Sequence, residues 1–88
     1  MSLEEIFFAA QLDQHIHSID LHEYATVPEA LEQLERQLFF CYQKHISYCR
    51  VIHGIGEGIL MTHVHGALAK NPMVQGSQCQ GGSCIVVL

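Results

Sequence analysis

Hydrophobic residues in the first segment of the chain recur with the period of a helix. They fall at i, i+3, i+4 and i+7, as Leu3, Ile6, Phe7 and Ala10. Ser2 and Glu5 have the spacing of a capping box, in which each side chain bonds a backbone N–H at the start of a helix. The pattern therefore predicts an amphipathic helix over residues 2–12.

Two later segments show the same helical period. One carries a hydrophobic stripe formed by Val27, Ala30, Leu31, Leu34, Leu38 and Cys41. With a capping box at Thr26 and Glu29, this stripe predicts a helix over about 27–44. The other segment predicts a helix over 59–70 that Asn71 and Pro72 end, with a core face of Leu60, Val64, Ala67 and Leu68.

Four segments have the character of strands. Residues 17–22 alternate, 48–52 are rich in β-forming residues, 73–78 are a weaker candidate, and 84–88 form a buried strand after a glycine turn. After the first helix the predicted order is β-α-β-α-β-β. This order predicts an α/β fold, a two-layer sandwich with a mixed four-stranded sheet and an extra N-terminal helix. The first two strands would be parallel, and the last two would form an antiparallel hairpin.

The length of 88 residues indicates one domain. No segment reaches the roughly 18 apolar residues that a membrane span needs. The first residues are acidic where a signal peptide would be basic. We therefore expect a cytoplasmic protein that has no membrane partner.

The chain has four cysteines, none of them in a CxxC pair: Cys41, Cys49, Cys79 and Cys84. A disulfide between Cys79 and Cys84 is the alternative to free thiols, because the two can face each other across the closing hairpin. Thiols of intracellular proteins are kept reduced, however. We therefore expect four reduced and mostly buried cysteines.

Charge argues against a strongly basic nucleic-acid-binding protein. Four Lys and Arg residues stand against nine Asp and Glu residues, for a net charge of -5. Proteins that bind nucleic-acid phosphates usually have a basic surface. Here such a surface would require protonation of some of the seven histidines.

Candidate catalytic residues follow the first two strands. Asp20 and His22 lie at the end of the first strand, and His53 follows the second. Parallel strands end at the same edge of a sheet, which is where open α/β sheets bind ligands. A carboxylate beside a histidine orients the ring or raises its pKa, which suits general acid–base chemistry. The alternative is an ordinary ion pair at a strand end.

Three glycines, Gly54, Gly56 and Gly58, precede the third predicted helix. The free N–H groups and the dipole of a helix N-terminus favour anions, and glycines let a ligand approach the backbone closely. The spacing is not the G-x-G-x-x-G of dinucleotide-binding proteins. It favours a phosphate that belongs to no nucleotide cofactor, the alternative being a tight helix entry.

The remaining histidines do not predict a metal site. His63 and His65 point about 200° apart on a helix, so they cannot chelate one ion together. His15 and His17 precede the first strand and are expected at the surface. The closed ligand sets of structural zinc are absent, and we expect no dedicated metal site.

Two adjacent aromatic residues, Phe39 and Phe40, lie off the stripe of the second helix, beside Tyr42. Single exposed aromatics are ordinary. Grouped ones mark contact patches, so self-association or a partner contact through Phe39 and Phe40 stays open.

The segment SIDLHEYATVPEALEQLERQL, followed by YCRVIHGIGEGIL, resembles the small MutS-related (Smr) domain. That family carries L-D-L-H-G at its first strand and H-G-K-G or T-G-x-G after its second. Here these motifs are IDLHE at 19–23 and HGIG at 53–56. The resemblance covers residues 17–88, which leaves 1–16 as an N-terminal helix and lead-in.

The resemblance implies a nucleic-acid-processing domain, in several members an endonuclease that cleaves phosphodiester bonds of structured DNA or RNA, in DNA repair or recombination or in RNA cleavage. It places catalytic roles on Asp20, His22 and His53. Gly54, Gly56 and Gly58 would hold the phosphate. No cofactor is certain, although Asp20 would either orient a histidine or bind a divalent cation.

The alternative is a non-catalytic module of the same fold that contacts nucleic acid or protein. It is favoured by the acidic charge and by Ile55, one of three departures from the family pattern, whereas Asp20, His22 and His53 favour the nuclease. Glu23 replaces a glycine, Ile55 replaces the usual basic residue of the second motif, and Met61 replaces a frequent arginine.

Overall fold

The computed structural model describes residues 1–88 and contains the seven predicted elements in the predicted order. The helices are α1 (Leu3–Leu12), α2 (Val27–Gln43) and α3 (Ile59–Lys70). The strands are β1 (Ser18–Asp20), β2 (Tyr48–Ile52), β3 (Gly76–Gln80) and β4 (Ser83–Val87). None of the three helices is both long enough and apolar enough to span a bilayer.

The four strands form one mixed sheet with the order β1-β2-β4-β3. β1 and β2 are parallel, and β4 pairs antiparallel with both β2 and β3. The predicted fold class is therefore confirmed: an α/β sandwich with a mixed four-stranded sheet and an extra N-terminal helix.

Strand alternation gives the sheet two apolar faces. Cys84 and Val86 of β4 belong to the main core, which α2 and α3 cover with Leu34, Leu38, Val64 and Leu68 among others. Ile85 and Val87 point to the opposite face, where Phe7 and Ala10 of α1 pack on them. α1 thus shields a sheet face that would otherwise expose apolar residues to water.

The third strand lies later in the chain than its sequence pattern predicts, at Gly76–Gln80 rather than 73–78. The side chain of Asn71 accepts the N–H of Met73 at 2.8 Å, and its carbonyl accepts the N–H of Val74 at 3.1 Å. These bonds form a turn that occupies the start of the predicted strand. Pairing with β4 therefore begins only at Gly76.

The expectation of four reduced cysteines is wrong for two of them. Cys79 and Cys84 are paired directly across β3 and β4 and are joined by a disulfide. The strand register places the two side chains opposite each other, on the same face of the hairpin. Cys41 and Cys49 are free and buried, and burial raises the pKa of Cys49 to about 12.

The packing of α1 leads to a test on two neighbouring phenylalanines. Phe7 is only 6% exposed and contacts the sheet, whereas Phe8 is 64% exposed. Phe7→Ala should lower the free energy of unfolding by about 3 kcal/mol or more, because it leaves a cavity under α1. Phe8→Ala should change it by less than about 0.5 kcal/mol. Urea denaturation measures both, and equal effects would mean that α1 does not dock on the sheet.

Candidate functional site

The candidate site lies at the carboxyl edge of the sheet, by which we mean the edge where the parallel strands β1 and β2 end. The N–H of Leu21 donates to the carbonyl of Ile52 at 2.8 Å, so the parallel pairing continues just past the end of β1. The first motif is thereby held beside the residues that follow β2. The sequence prediction that the two motifs share one edge is correct for the backbone.

Asp20 and His22 form a side-chain pair at this edge. Nδ1 of His22 is bonded to Oδ1 of Asp20, and the backbone N–H of His22 donates to the same oxygen at 3.1 Å. Both side chains are accessible, at 40% for Asp20 and 58% for His22. The bond from His22 stabilises the carboxylate and lowers the pKa of Asp20 below its ordinary value of 3.8.

This arrangement prepares the imidazole for proton transfer. An ionised carboxylate only accepts hydrogen bonds, so Nδ1 of His22 carries the proton that it donates to Asp20. In the neutral ring, Nε2 then holds a free lone pair. A histidine oriented in this way can accept a proton from a nucleophile or return one to a leaving group.

The glycine turn, residues 54–58, has the backbone conformation that its glycines predict. Gly54, Gly56 and Gly58 have φ angles of +75°, +42° and +83°. Residues that carry a side chain rarely adopt this left-handed backbone conformation, which explains why glycine occupies all three positions. Gly58 caps the start of α3 without a side-chain hydrogen bond. No capping side chain competes there for the first N–H groups of α3, which are the groups that bind anions at helix N-termini.

The glycine turn lies between the first motif and the β3–β4 hairpin. A Cβ atom added to Gly54 would lie 3.7 Å from Cβ of His22, so the two motifs are in contact. On the other side, the carbonyl of Gly82 accepts the N–H groups of both His53 and Gly54, each at 2.9 Å. A Cβ on Gly82 would come within 3.2 Å of Cα of Gly54. Only glycine allows this approach without a shift of the backbone.

The side chain of His53 does not join the pair of Asp20 and His22. It continues the alternation of Cys49 and Val51 in β2, which point into the main core, and it is only 4% exposed. Its Nδ1 bonds the carbonyl of Gly54 at 2.6 Å. The catalytic role of His53 stays a prediction, and the structure places its ring beneath the carboxyl edge rather than on it.

Two residues that sequence reasoning did not assign surround His53. The ring of His65 on α3 lies 5.2 Å from that of His53, centroid to centroid, and Sγ of Cys84 lies 3.6 Å from Nε2 of His53. Two sequence features indicate these contacts. Side chains alternate along β2 and β4, and His65 directly follows Val64, which is buried. His65 and His63 point apart on α3, and the neighbours of His65 lie on the sheet instead.

The departures from the motif are visible on the surface. Ile55 is 66% exposed at the tip of the glycine turn. Glu23 is exposed and lies with Asp20 and His22, their ligand atoms all within 4.8 Å of one another. The edge therefore presents two carboxylates and an exposed isoleucine, without a lysine or arginine among these residues.

Phe39 and Phe40 are exposed at 52% and 43% on α2. The ring of Phe40 lies 6.1 Å from that of His17. Self-association through these aromatic residues stays a prediction.

The pair of Asp20 and His22 is open to a direct test by titration. In His22→Ala, the pKa of Asp20 should rise, because the largest stabilising bond to its carboxylate is lost. The rise should be partial, since the backbone N–H of residue 22 still donates to Oδ1. Carbon-13 NMR of the carboxyl groups measures the shift. Asp13 is an internal control, because its carboxylate accepts the Tyr48 hydroxyl at 2.8 Å and should keep its lowered pKa.

The direction in which the stability of the fold changes with pH follows from the lowered pKa of Asp20. The pair stabilises the fold above the unfolded pKa of about 3.9. That stabilisation is lost as the pH falls through the lower pKa of the folded protein. An Asp20 pKa that does not move in His22→Ala would contradict the observed bond.

Comparison with known proteins assigns the chain to a family. The Smr domain model matches residues 19–88. Endonuclease MutS2 of Thermomicrobium roseum is 32% identical over 71 residues, which cover 81% of this chain but only 8% of that protein. The crystal structure of the Smr domain of Thermus thermophilus MutS2 matches with a TM-score of 0.78 and 26% identity, covering 83% of this chain and 98% of that one. The chain belongs to the Smr domain family.

Proposed function

We propose that this Smr domain cleaves phosphodiester bonds in structured DNA or RNA at its carboxyl edge. The observation that carries the proposal is the contact between an oriented histidine and the glycine turn. His22 is bonded to Asp20, and its Cβ faces Gly54. A phosphate held by the turn would therefore lie beside a group able to transfer a proton.

The proposed reaction begins with a phosphate bound to the N–H groups of the glycine turn and of the first turn of α3. Nε2 of His22 takes the proton from the attacking oxygen, which is that of water or of a ribose hydroxyl. The new P–O bond forms as the bond to the leaving oxygen breaks, and the leaving oxygen takes a proton from water. The Asp20 carboxylate holds the ring in position and stabilises the imidazolium.

In this proposal His53 is a positioning residue. Its ring is too deeply buried to meet a substrate, but its bond to the Gly54 carbonyl ties the glycine turn to the core. The catalytic role that the resemblance implied for His53 thus becomes an indirect one. Gly54, Gly56 and Gly58 remain the proposed phosphate-binding residues.

A second candidate is a non-catalytic module that binds nucleic acid or protein. Two observations favour it. The chain has a net charge of -5, and the tip of the glycine turn carries exposed Ile55 and Glu57 instead of a basic residue. Both features weaken phosphate binding, so cleavage and binding require separate measurements.

The cleavage test uses labelled structured DNA and RNA with the purified protein. Asp20→Ala and His22→Ala should each lower the rate by about 100-fold or more, as expected for loss of general acid–base catalysis. His15→Ala is the matched control: the backbone N–H of His15 bonds Asp13 Oδ1 at 2.8 Å with the same i, i+2 spacing, away from the carboxyl edge. It should cleave at the wild-type rate.

Variants that cleave as fast as the wild type would assign the activity to a contaminant or to another surface. Binding without cleavage, weakened by substitutions in the glycine turn, would favour the second candidate.

A second test adds a charge to the glycine turn. Ile55→Lys should strengthen nucleic-acid binding and steepen its log–log salt dependence by about one unit. Because Ile55 is 66% exposed, the melting temperature should change little. Phe8→Lys, at a site 64% exposed on α1, adds the same net charge as a control. Equal salt slopes for both variants would show that the turn does not face a phosphate.

A further inference from the structure

Three potential metal ligands meet beneath the carboxyl edge, and a fourth residue is bonded to one of them. The ligand atoms of His53, His65 and Cys84 all lie within 4.8 Å of one another. Cys79 lies outside this group, but its sulfur is bonded to that of Cys84. The four residues come from the segment after β2, from α3 and from both strands of the hairpin, so the cluster connects three parts of the fold.

The spacing within this cluster fits tetrahedral zinc. Zinc bonds of about 2.3 Å to sulfur and about 2.0–2.1 Å to nitrogen place the two ligand atoms about 3.5 Å apart at a tetrahedral angle. Sγ of Cys84 and Nε2 of His53 are 3.6 Å apart. Two imidazoles and two thiolates are a ligand set of known structural zinc sites.

The tautomer of His53 also suits a ligand. Nδ1 bonds the carbonyl of Gly54 at 2.6 Å, and a carbonyl can only accept, so Nδ1 carries the proton. Nε2 then directs its lone pair toward the sulfur of Cys84. A backbone carbonyl that orients a histidine through its other nitrogen is a common feature around metal sites.

We propose that, once the disulfide is reduced, the protein binds one zinc ion through His53, His65, Cys84 and Cys79. A dithiol gives two electrons and two protons to the disulfide and is itself oxidised to a disulfide, leaving two cysteine thiols. Zinc then displaces both thiol protons as it binds. The proposal does not depend on nuclease activity, and it replaces the sequence-based expectation that the chain has no dedicated metal site.

Metal binding would exchange one cross-link for another. The disulfide ties β3 to β4 alone. Zinc would tie this hairpin to α3 and to His53, the residue that precedes the glycine turn. The oxidation state of one cysteine pair would therefore control how firmly the glycine turn is attached to the core.

The experiment titrates the full-length protein with Zn²⁺ against a colorimetric chelator, and with Co²⁺ to record the thiolate-to-metal charge-transfer band. Reduced wild-type protein should bind one ion and show the band. The oxidised protein should bind more weakly by well over about 100-fold, which is the most that loss of an outer-shell partner costs, since two direct ligands are lost. It still contains Cys41 and Cys49 as free thiols, so it controls for binding to those two residues.

Two exposed histidines on α3 give a matched pair of variants. His65→Ala should weaken zinc binding by about 100-fold or more, because a direct ligand is lost and even an outer-shell partner is worth about 10- to 100-fold. His63→Ala should bind like the wild type. Cys79→Ser removes the disulfide at an exposed position and leaves the Cys84 thiol. It should bind Zn²⁺ with or without reductant, with a weaker charge-transfer band from one thiolate.

Melting curves of the metal-free variants establish that each is folded. Equal zinc affinity of the His65→Ala and wild-type proteins would overturn the proposal and point to the exposed group of Asp20, His22 and Glu23. Equal affinity of the oxidised and reduced proteins, or a Cys79→Ser protein whose zinc affinity still depends on reductant, would overturn it as well.

Discussion

The parallel pairing of β1 with β2 is the constraint on which the candidate site depends. Its register sets Ile19 opposite Val51 and Asp20 opposite Ile52. The first motif therefore ends beside the start of the second, and His22 comes to lie against Gly54. In an antiparallel pair the two motifs would lie at opposite ends of the sheet. The α2 crossover, anchored in the core by Leu34 and Leu38, makes the parallel arrangement possible.

Because side chains alternate along the strands, the polar side chains of this edge lie at two levels, one exposed and one buried. His22 remains on the solvent side with Asp20, while His53 points into the core toward Cys84. Gly54 joins the levels, because it lies against His22 and its carbonyl bonds the ring of His53. A conformational change in the buried cluster would consequently be transmitted to the pair of Asp20 and His22 through Gly54.

The elements and their order could be predicted from the sequence because each has a strong local signal. Ser2 forms a complete capping box with Glu5, and Thr26 accepts the N–H of Glu29 at 3.3 Å. The ends of α2 and α3 agree with the predicted ones to within a residue. The carboxyl edge could be predicted as well, since it follows from chain order and from the parallel pairing of two strands.

What could not be predicted depends on register and on helix rotation. The sequence allows Cys79 and Cys84 to face each other across the hairpin, but the expected reducing compartment favours free thiols, whereas the observed register sets the two directly opposite and they are bonded. His65 contacts His53 because of the angle at which α3 rests on the sheet. That angle is set by packing between Val64, Leu68 and the core, which sequence periodicity does not describe.

The central claim is that the carboxyl edge is the surface that meets a nucleic-acid phosphate. Amide chemical-shift mapping by NMR, with the labelled protein titrated by a structured RNA or DNA hairpin, tests it most directly. The largest shifts should fall on residues 21–23 and 54–60, while the amides of Phe39 and Phe40 should stay unchanged. Largest shifts around Phe39 and Phe40, with the glycine turn unaffected, would contradict it.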